Sequence, residues 1–304
     1  MMKLVSEHVF EGLEDIVVEN HPLARHTWYR IGGPARYFVT PRDEHELSEV
    51  VRRANDSQIP VYFLGLGANV LISDGGVDGI VIRLSEERWM EGAVFGNRMI
   101  CGAGADVQKL VLKAARAGLA GLEVMAGIPG TVGGAVRMNA GGKFGDFGGL
   151  VKSVRLMDTH GHIADYSKDE VHFSYRHSEL PAPYILGATI QLEECDPEEI
   201  SKRTKDIWMY KRNSQPLNAK SAGCVFKNPP AEASGGRSAG ALIDQAGLKG
   251  LRMGGAEVSG VHANFFVAAP GTKADDVLAL IEMVKERVAE KFGVTLENEV
   301  RVWR

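Results

Sequence analysis

An α+β fold in two domains is what the sequence predicts, and three observations carry that expectation. The chain has 304 residues, about twice the roughly 150 of a typical domain. Short apolar runs bounded by glycine, the mark of buried strands, are interspersed with amphipathic stretches of helical period. Glycine is in excess, 36 residues of 304, or about 12% against an average near 7%. It gathers in 65–79, 102–104, 118–149 and 235–260, between the periodic segments, where it lets the backbone turn tightly or approach something closely.

The elements follow in chain order. Between Pro41 and Pro60, Leu47, Val50, Val51 and Ala54 form the apolar stripe of a helix. Segments 61–64 and 80–84 read as short buried strands. A helix from about Ala105 to Ala117 turns Val107, Leu110, Val111 and Ala114 inward and stops at Gly118. Strands recur near 99–102, 153–158 and 185–192. Asp196-Pro197-Glu198-Glu199 combines an Asp N-cap, Pro in the first turn and Glu three residues on. That helix carries Ile200, Ile207 and Trp208 and ends before Asn213-Ser214-Gln215-Pro216. The domain boundary is expected just before it, giving 1–194 (core about 30–194) and 195–304. A last helix, capped by Thr272 and Asp275, carries Val277, Ile281, Val284, Val288 and Phe292 and stops at Gly293.

Composition narrows the function classes. At 44% hydrophobic and 24% charged the chain has the make-up of an ordinary soluble protein. Its net charge of −4 argues against a nucleic-acid partner but allows an anion held by local amides and a few cations. Met1 to His8 contain no uninterrupted apolar run, and no stretch approaches 18 apolar residues, so neither a signal peptide nor a spanning helix is expected. Cys101, Cys195 and Cys224 are odd in number and far apart, which fits neither a disulfide framework nor a zinc site. A reducing cytoplasm and no metal are the expectation.

Two glycine loops carry the first functional signal. Segment 61–64 runs into Gly65-Leu66-Gly67-Ala68-Asn69-Val70-Leu71, and such a turn sets consecutive N–H groups around a concavity suited to pyrophosphate. A bare tight turn would read the same way, and the dinucleotide fingerprint fails because its third glycine and following helix are missing. The second loop is Gly127-Ile128-Pro129-Gly130-Thr131-Val132-Gly133-Gly134-Ala135, followed by Met138-Asn139-Ala140-Gly141. Pro129 and Gly130 fix a turn, and Gly133-Gly134 leave room for a ligand at the start of a short helix.

The run Thr27-Trp28-Tyr29-Arg30-Ile31-Gly32-Gly33-Pro34-Ala35, the 65–71 loop with Ser73-Asp74, and the 127–141 segment together resemble the flavin domain of the UDP-N-acetylenolpyruvoylglucosamine reductase family. The resemblance continues through 173–178, Ser221-Ala222-Gly223-Cys224-Val225-Phe226-Lys227-Asn228-Pro229, 239–250, Val258-Ser259, His262-Ala263-Asn264-Phe265 and Leu296-Glu297-Asn298-Glu299-Val300, covering roughly 20–302. It implies a vanillyl-alcohol-oxidase (PCMH)-type FAD-binding domain followed by a smaller α+β substrate-binding domain. The short spacing from Arg176 to Cys224 is similar to the compact, type II form, which lacks a loop insertion bearing an extra tyrosine.

What the resemblance implies is specific. Non-covalent FAD is expected on Arg30, Gly32, Gly65, Gly67, Ala68, Asn69 and Val70, with the pyrophosphate over the 65–70 turn. It is also expected on Gly127, Ile128, Pro129, Gly130, Thr131, Gly133, Gly134, Ala135 and Asn139. NADPH is the expected hydride donor, and a UDP-sugar bearing an enolpyruvyl ether the substrate, touched by Tyr175, Lys227, Asn228 and His262. Arg176, Cys224 and Glu299 match the catalytic positions. A guanidinium fork suits the substrate carboxylate, Glu299 is expected to stabilise the charged intermediate, and Cys224 to protonate the alpha carbon. The family usually has serine at that last place, and a thiol, with a pKa near 8.5, is the stronger acid. The departure leaves room for a changed substrate or an oxidation-sensitive enzyme. A monomer in the cytoplasm completes the expectation.

Taken singly, each residue has a plainer reading: an arginine in a surface ion pair, a solvated glutamate, a small buried cysteine, a core histidine. Two other functions stay open at this point, an oxygen-using flavin oxidase on the same fold and a UDP-sugar-binding module that keeps FAD for structure.

Overall fold

The structure, a computed structural model, describes residues 9–304. The run from Met1 to His8, read above for a signal segment, lies outside the described residues. The chain forms two compact units: one from the residues up to His21 with Arg36–Gly65 and Asp78–Tyr210, the other from Pro22–Ala35, Leu66–Val77 and Lys211–Arg304.

Two sheets organise the first unit. A four-stranded sheet runs in the order Val17–Pro22, Pro34–Val39, Val77–Ile82, Val61–Phe63, its last pair parallel, with Val61 opposite Ile80. A five-stranded antiparallel sheet runs Ile163–Ser167, Val151–Met157, Tyr184–Gln191, Arg98–Gly102, Gly92–Phe95. The helix Glu44–Asp56 starts at Asp43, whose carboxylate accepts from the Glu46 N–H, and its Leu47, Val50, Val51 and Ala54 are fully buried. The helix Val107–Arg116 starts at Asp106 in the same way and buries Val107, Leu110, Val111 and Ala114. Gly118 follows it at φ +69°. The expected strands and helices are all present, and these apolar faces share one core.

In the second unit the helix Ala274–Phe292 buries Val277, Leu280, Ile281, Val284 and Val288 against the helix Ala239–Gln245 and the antiparallel sheet Arg252–Met253, Ala256–Val258, Phe266–Ala268. The expected cap on that long helix is corrected. Thr272 instead donates its hydroxyl to the Ala269 carbonyl. The first N–H groups are met by Asp276, which accepts from Lys273, and by Asp74, which accepts from Ala274 at 3.0 Å.

The expected single boundary at 195 differs from this division, for two physical reasons. Val70–Ile72 pairs in parallel with Arg301–Trp303, and Asp74 caps the long helix, so 66–77 packs with chain two hundred or more residues away. The helix Pro197–Ser214 does start at Asp196, whose carboxylate accepts from Glu198. It buries Ile200 with Ala115 and Ala120 and pairs Arg203 with Glu123, which ties most of its length to the first unit.

Candidate functional site

The turn after Val61–Phe63 is built by close backbone approach. Gly67 sits at φ +65°, and a Cβ there would lie 2.2 Å from the His26 carbonyl oxygen. Its own carbonyl accepts from Trp28 at 3.1 Å, so the turn lies on the 26–33 segment. Gly32 presses on Ile72, and Gly33 donates to Ser73 at 2.8 Å. Arg30 is left-handed at φ +59° and donates to the Arg25 carbonyl. Among the described residues nothing accepts from the N–H groups of Leu66, Gly67 or Ala68. Three successive free donors on one turn make an anion cradle of the kind expected for pyrophosphate.

The second loop treats its donors differently. Gln108 holds it: the Gln108 amide donates to Met125 (2.9 Å) and Ile128 (2.7 Å) and accepts from the Gly127 N–H at 2.8 Å. Val132 donates to Ala105, Gly133 to Ala103 and Ala135 to Thr131, and Gly134 donates to the Thr131 hydroxyl that caps the helix Val132–Arg137. The helix start therefore offers no free donors from 132 to 135. The expectation that Gly133 leaves room for a ligand is corrected, since a Cβ there would meet Ala103 at 3.2 Å. The room is at Gly130, with nothing within 4 Å of an added Cβ, and at Gly134, where only Thr131 comes within 3.6 Å. Gly65 and Thr131 bring the two loops together, a Cβ on Gly65 falling 2.5 Å from the Thr131 hydroxyl. The free donors at 66–68 suit an anion, and the backbone at 130 and 134 is open on its Cβ side.

The loop continues into the segment that carries Arg176. Asn139 is buried, at φ +39°; its Nδ2 donates to Ser174 at 3.0 Å and its Oδ1 accepts from Gly148 at 2.9 Å. Ser178 donates to the Arg137 carbonyl at 2.9 Å. These bonds hold both arms of the hairpin His172–Ser174/His177–Glu179, whose two-residue turn is Tyr175-Arg176. Arg176 is half-buried, stands 5.2 Å over the Tyr175 ring and is held at φ +56°. Asn139 was expected to meet FAD, but its side chain is engaged with the backbone on either side. Five non-glycine residues among those described have positive φ: Asn20, Arg30, Gln58, Asn139 and Arg176. Such backbone costs about 1 kcal/mol or more per residue and gathers at functional sites; three of these five were singled out from the sequence.

In the second unit Cys224 and Glu299 flank one extended segment. Cys224 bridges Phe265 and Phe226 bridges Asn298. The Val225 carbonyl accepts from Glu299 at 2.7 Å, and Lys227 donates its N–H to Glu297 at 2.9 Å. Asn69 joins this arrangement: its Nδ2 donates to the Glu299 carbonyl at 3.1 Å, and its own carbonyl accepts from Arg301. Gly223 and Ala68 are also neighbours, a Cβ on Gly223 lying 3.9 Å from the Ala68 oxygen. The expected cofactor turn and two expected catalytic positions thus belong to one packed unit.

The expected substrate contacts have other partners. The Lys227 ammonium pairs with Glu297 at 2.6 Å. Asn228 accepts from Ala239 at the start of the helix Ala239–Gln245. His262 packs edge-on against Phe265, its Nδ1 accepts from Asn264 at 3.2 Å, and burial holds its pKa below the usual histidine value. Burial pushes the Cys101 thiol up to about 12, while Cys195 and Cys224 are partly exposed.

Sequence reasoning missed Gln108 and Asn264. Gln108 lies on an amphipathic helix where period alone marks it as surface. Asn264 lies in a quoted motif, but its bonds are long-range.

Residues 35–167 match the model of an FAD-binding domain family, and residues 215–303 that of the UDP-N-acetylenolpyruvoylglucosamine reductase C-terminal domain. The chain is 41% identical over 293 residues to the UDP-N-acetylenolpyruvoylglucosamine reductase of Moorella thermoacetica, covering 96% of this chain and 95% of the relative. It is 41% identical to that of Heliobacterium modesticaldum, covering 94% and 90%. The crystal structure of the Thermus caldophilus reductase superposes with a TM-score of 0.79 at 40% identity, covering 95% of this chain and 98% of that one. No helix among the described residues is long and apolar enough to cross a membrane. On these likenesses, with the paired glycine loops and the Cys224–Glu299 segment in place, the chain belongs to the UDP-N-acetylenolpyruvoylglucosamine reductase family.

Proposed function

We propose that this protein reduces the enolpyruvyl ether of UDP-N-acetylglucosamine enolpyruvate to UDP-N-acetylmuramate, a step of peptidoglycan precursor synthesis. The observation that carries this is membership of the reductase family over nearly the whole chain; Arg176, Cys224 and Glu299 have the chemistry to bind a carboxylate, give a proton and stabilise charge. In this reading 1–194 is the FAD-binding part of the sequence and 195–304 the substrate-binding part, and the protein works as a monomer in the cytoplasm.

When bound, FAD reduced by NADPH would supply the hydride for the terminal methylene carbon. The Leu66–Ala68 amides would hold its pyrophosphate, and the open backbone at Gly130 and Gly134 would admit it. As the substrate's C=C electron pair moves onto the carbon alpha to the carboxylate, the Arg176 fork takes up the growing carboxylate charge. Its strained hairpin turn presents the guanidinium already oriented, which saves reorganisation at the moment of reaction. Glu299 acts on that carboxylate from its protonated form, donating a hydrogen bond to it. The Cys224 thiol transfers its proton to the alpha carbon and is reprotonated from solvent. Lys227 and Asn228 contact the UDP part.

The reading is tested in two half-reactions. The protein should purify yellow with releasable FAD, and NADPH should reduce the flavin. Arg176→Ala and Glu299→Gln should leave that reduction nearly intact while greatly slowing reoxidation by the enolpyruvyl substrate, because charge appears only then. Cys224→Ala should slow reoxidation by roughly 10²–10⁴-fold, and Cys224→Ser should retain substantial activity. Rapid reoxidation in air without substrate would point to an oxidase instead.

A further inference from the structure

We propose that Asn264 is a positioning residue for the proton-donor segment, setting Cys224 against Glu299. The proposal rests on the reading of Cys224 and Glu299 as groups of the substrate-reducing step. Asn264 is only 3% exposed, and its side-chain amide treats Phe226 as a neighbouring strand would. The Oδ1 accepts from the Phe226 N–H at 2.9 Å, and the Nδ2 donates to the Phe226 carbonyl at 2.8 Å. Its main-chain carbonyl takes the adjacent donor, Val225, at 2.8 Å. Cys224 bridges Phe265, the next residue along.

The opposite edge of the same segment is taken by Glu299, whose N–H reaches the Val225 carbonyl at 2.7 Å. Residues 224–227 therefore run between two rails, with Asn264 and Phe265 on one side and 297–300 on the other. The 262–265 rail is a turn: Phe265 donates back to the His262 carbonyl at 2.9 Å. Its main chain curves away where Phe226 needs a partner, and the asparagine amide supplies the missing pair. A side chain of the same shape without both groups would leave Phe226 unpaired and let the segment slide along 297–300. Cys224 and Glu299 would then lose their setting, although neither is touched directly.

The test uses the FAD-loaded protein and two variants. Asn264→Leu keeps the bulk and loses both bonds; Asn264→Asp keeps the acceptor and turns the other oxygen against the Phe226 carbonyl. Both are compared well below their own Tm in stopped flow, with NADPH and then the enolpyruvyl substrate, beside Cys224→Ala and Glu299→Gln. Reduction by NADPH should be unchanged and substrate reoxidation slowed roughly 10–100-fold, the effect of a displacement near 1 Å. Iodoacetamide labelling, followed by mass spectrometry, should be several-fold faster at Cys224 and unchanged at Cys195, which lies in the other unit. A variant that melts lower yet reoxidises and labels like the wild type overturns the proposal. So does failure of both variants to fold, which would make Asn264 a stabilising residue alone. If Cys224→Ala and Glu299→Gln themselves reoxidise normally, the assignment of those residues fails, whatever Asn264 does.

Discussion

The two glycine loops have similar composition and differ in how much of their hydrogen bonding is used to hold them. The 65–70 turn leaves the Leu66, Gly67 and Ala68 donors free and is held by backbone crowding against 26–33. The 127–135 loop spends the donors of Gly127, Ile128 and 132–135 on Gln108, Met125, Ala105, Ala103 and Thr131, leaves those of Gly130 and Thr131 without an acceptor among the described residues, and has open space at Gly130 and Gly134. The first presents three successive amides on one turn, a shape suited to an anion, whereas the second is braced along most of its length. Glycine enrichment alone therefore does not identify a phosphate site; which N–H groups remain unspent does.

The comparison breaks most visibly at Gly67. A side chain there would collide with His26 backbone at 2.2 Å while φ is +65°, so Gly67→Val should give little or no folded protein. Flavin loss in such a variant would say nothing about phosphate approach, because the chain itself excludes the side chain. Circular dichroism of soluble material checks this; a folded, flavin-free Gly67→Val would show that the turn has slack.

Gly130→Val is the complementary case. Nothing lies within 4 Å of an added Cβ, so the fold and Tm should hold. FAD affinity should fall about a hundred-fold, or ~2.8 kcal/mol, if the cofactor passes close to that backbone. Fluorescence titration of the deflavinated protein measures it, and unchanged affinity would move the cofactor away from Gly130.

Gln108→Leu should cost about 2 kcal/mol of stability, since the buried groups of the loop lose a donor and an acceptor at once. Thermal unfolding of the apo and FAD-loaded forms reads the loss. An unaffected Tm would mean that the loop is held by its own turn.

These residues also show what the sequence could carry. Helix stripes such as Leu47, Val50, Val51 and Ala54 are legible because burial imposes a 3.6-residue period on neighbouring positions. The caps at Asp43 and Asp106 and the stops at Gly118 and Gly293 are local chemistry too, and the glycine loops announce themselves by composition. Long-range partners are not written locally. The pairing of Val70–Ile72 with Arg301–Trp303, the capping of Ala274–Phe292 by Asp74 and the Asn264 clamp on Phe226 each join segments far apart in the chain. A local window points to Thr272 and Asp275 as caps because a partner 200 residues away, such as Asp74, is not visible in it. Of the candidate site, residue identities were legible through motif resemblance, whereas the division of labour between the loops depends on hydrogen bonds that only the fold creates.

The smallest and sharpest effect lies where the two loops touch. An alanine Cβ at Gly65 would stand 2.5 Å from the Thr131 hydroxyl and 3.2 Å from its methyl, but 3.4 Å from its Cβ. The crowding is thus with the ends of a side chain, and Gly65 lacks the positive φ that would penalise alanine on its own. Gly65→Ala should therefore destabilise the protein by about 1–2 kcal/mol, in the range of overpacking. Thr131→Ala should cost about 1 kcal/mol, because the hydroxyl that caps Val132–Arg137 and accepts from Gly134 is lost. In the double variant the clashing atoms are gone, so the Gly65→Ala penalty should vanish, giving a favourable coupling of about 1–2 kcal/mol. Urea unfolding of the four proteins measures that coupling. Strict additivity would show that the loops do not bear on each other, and that the closeness of Gly65 to Thr131 has no energetic weight.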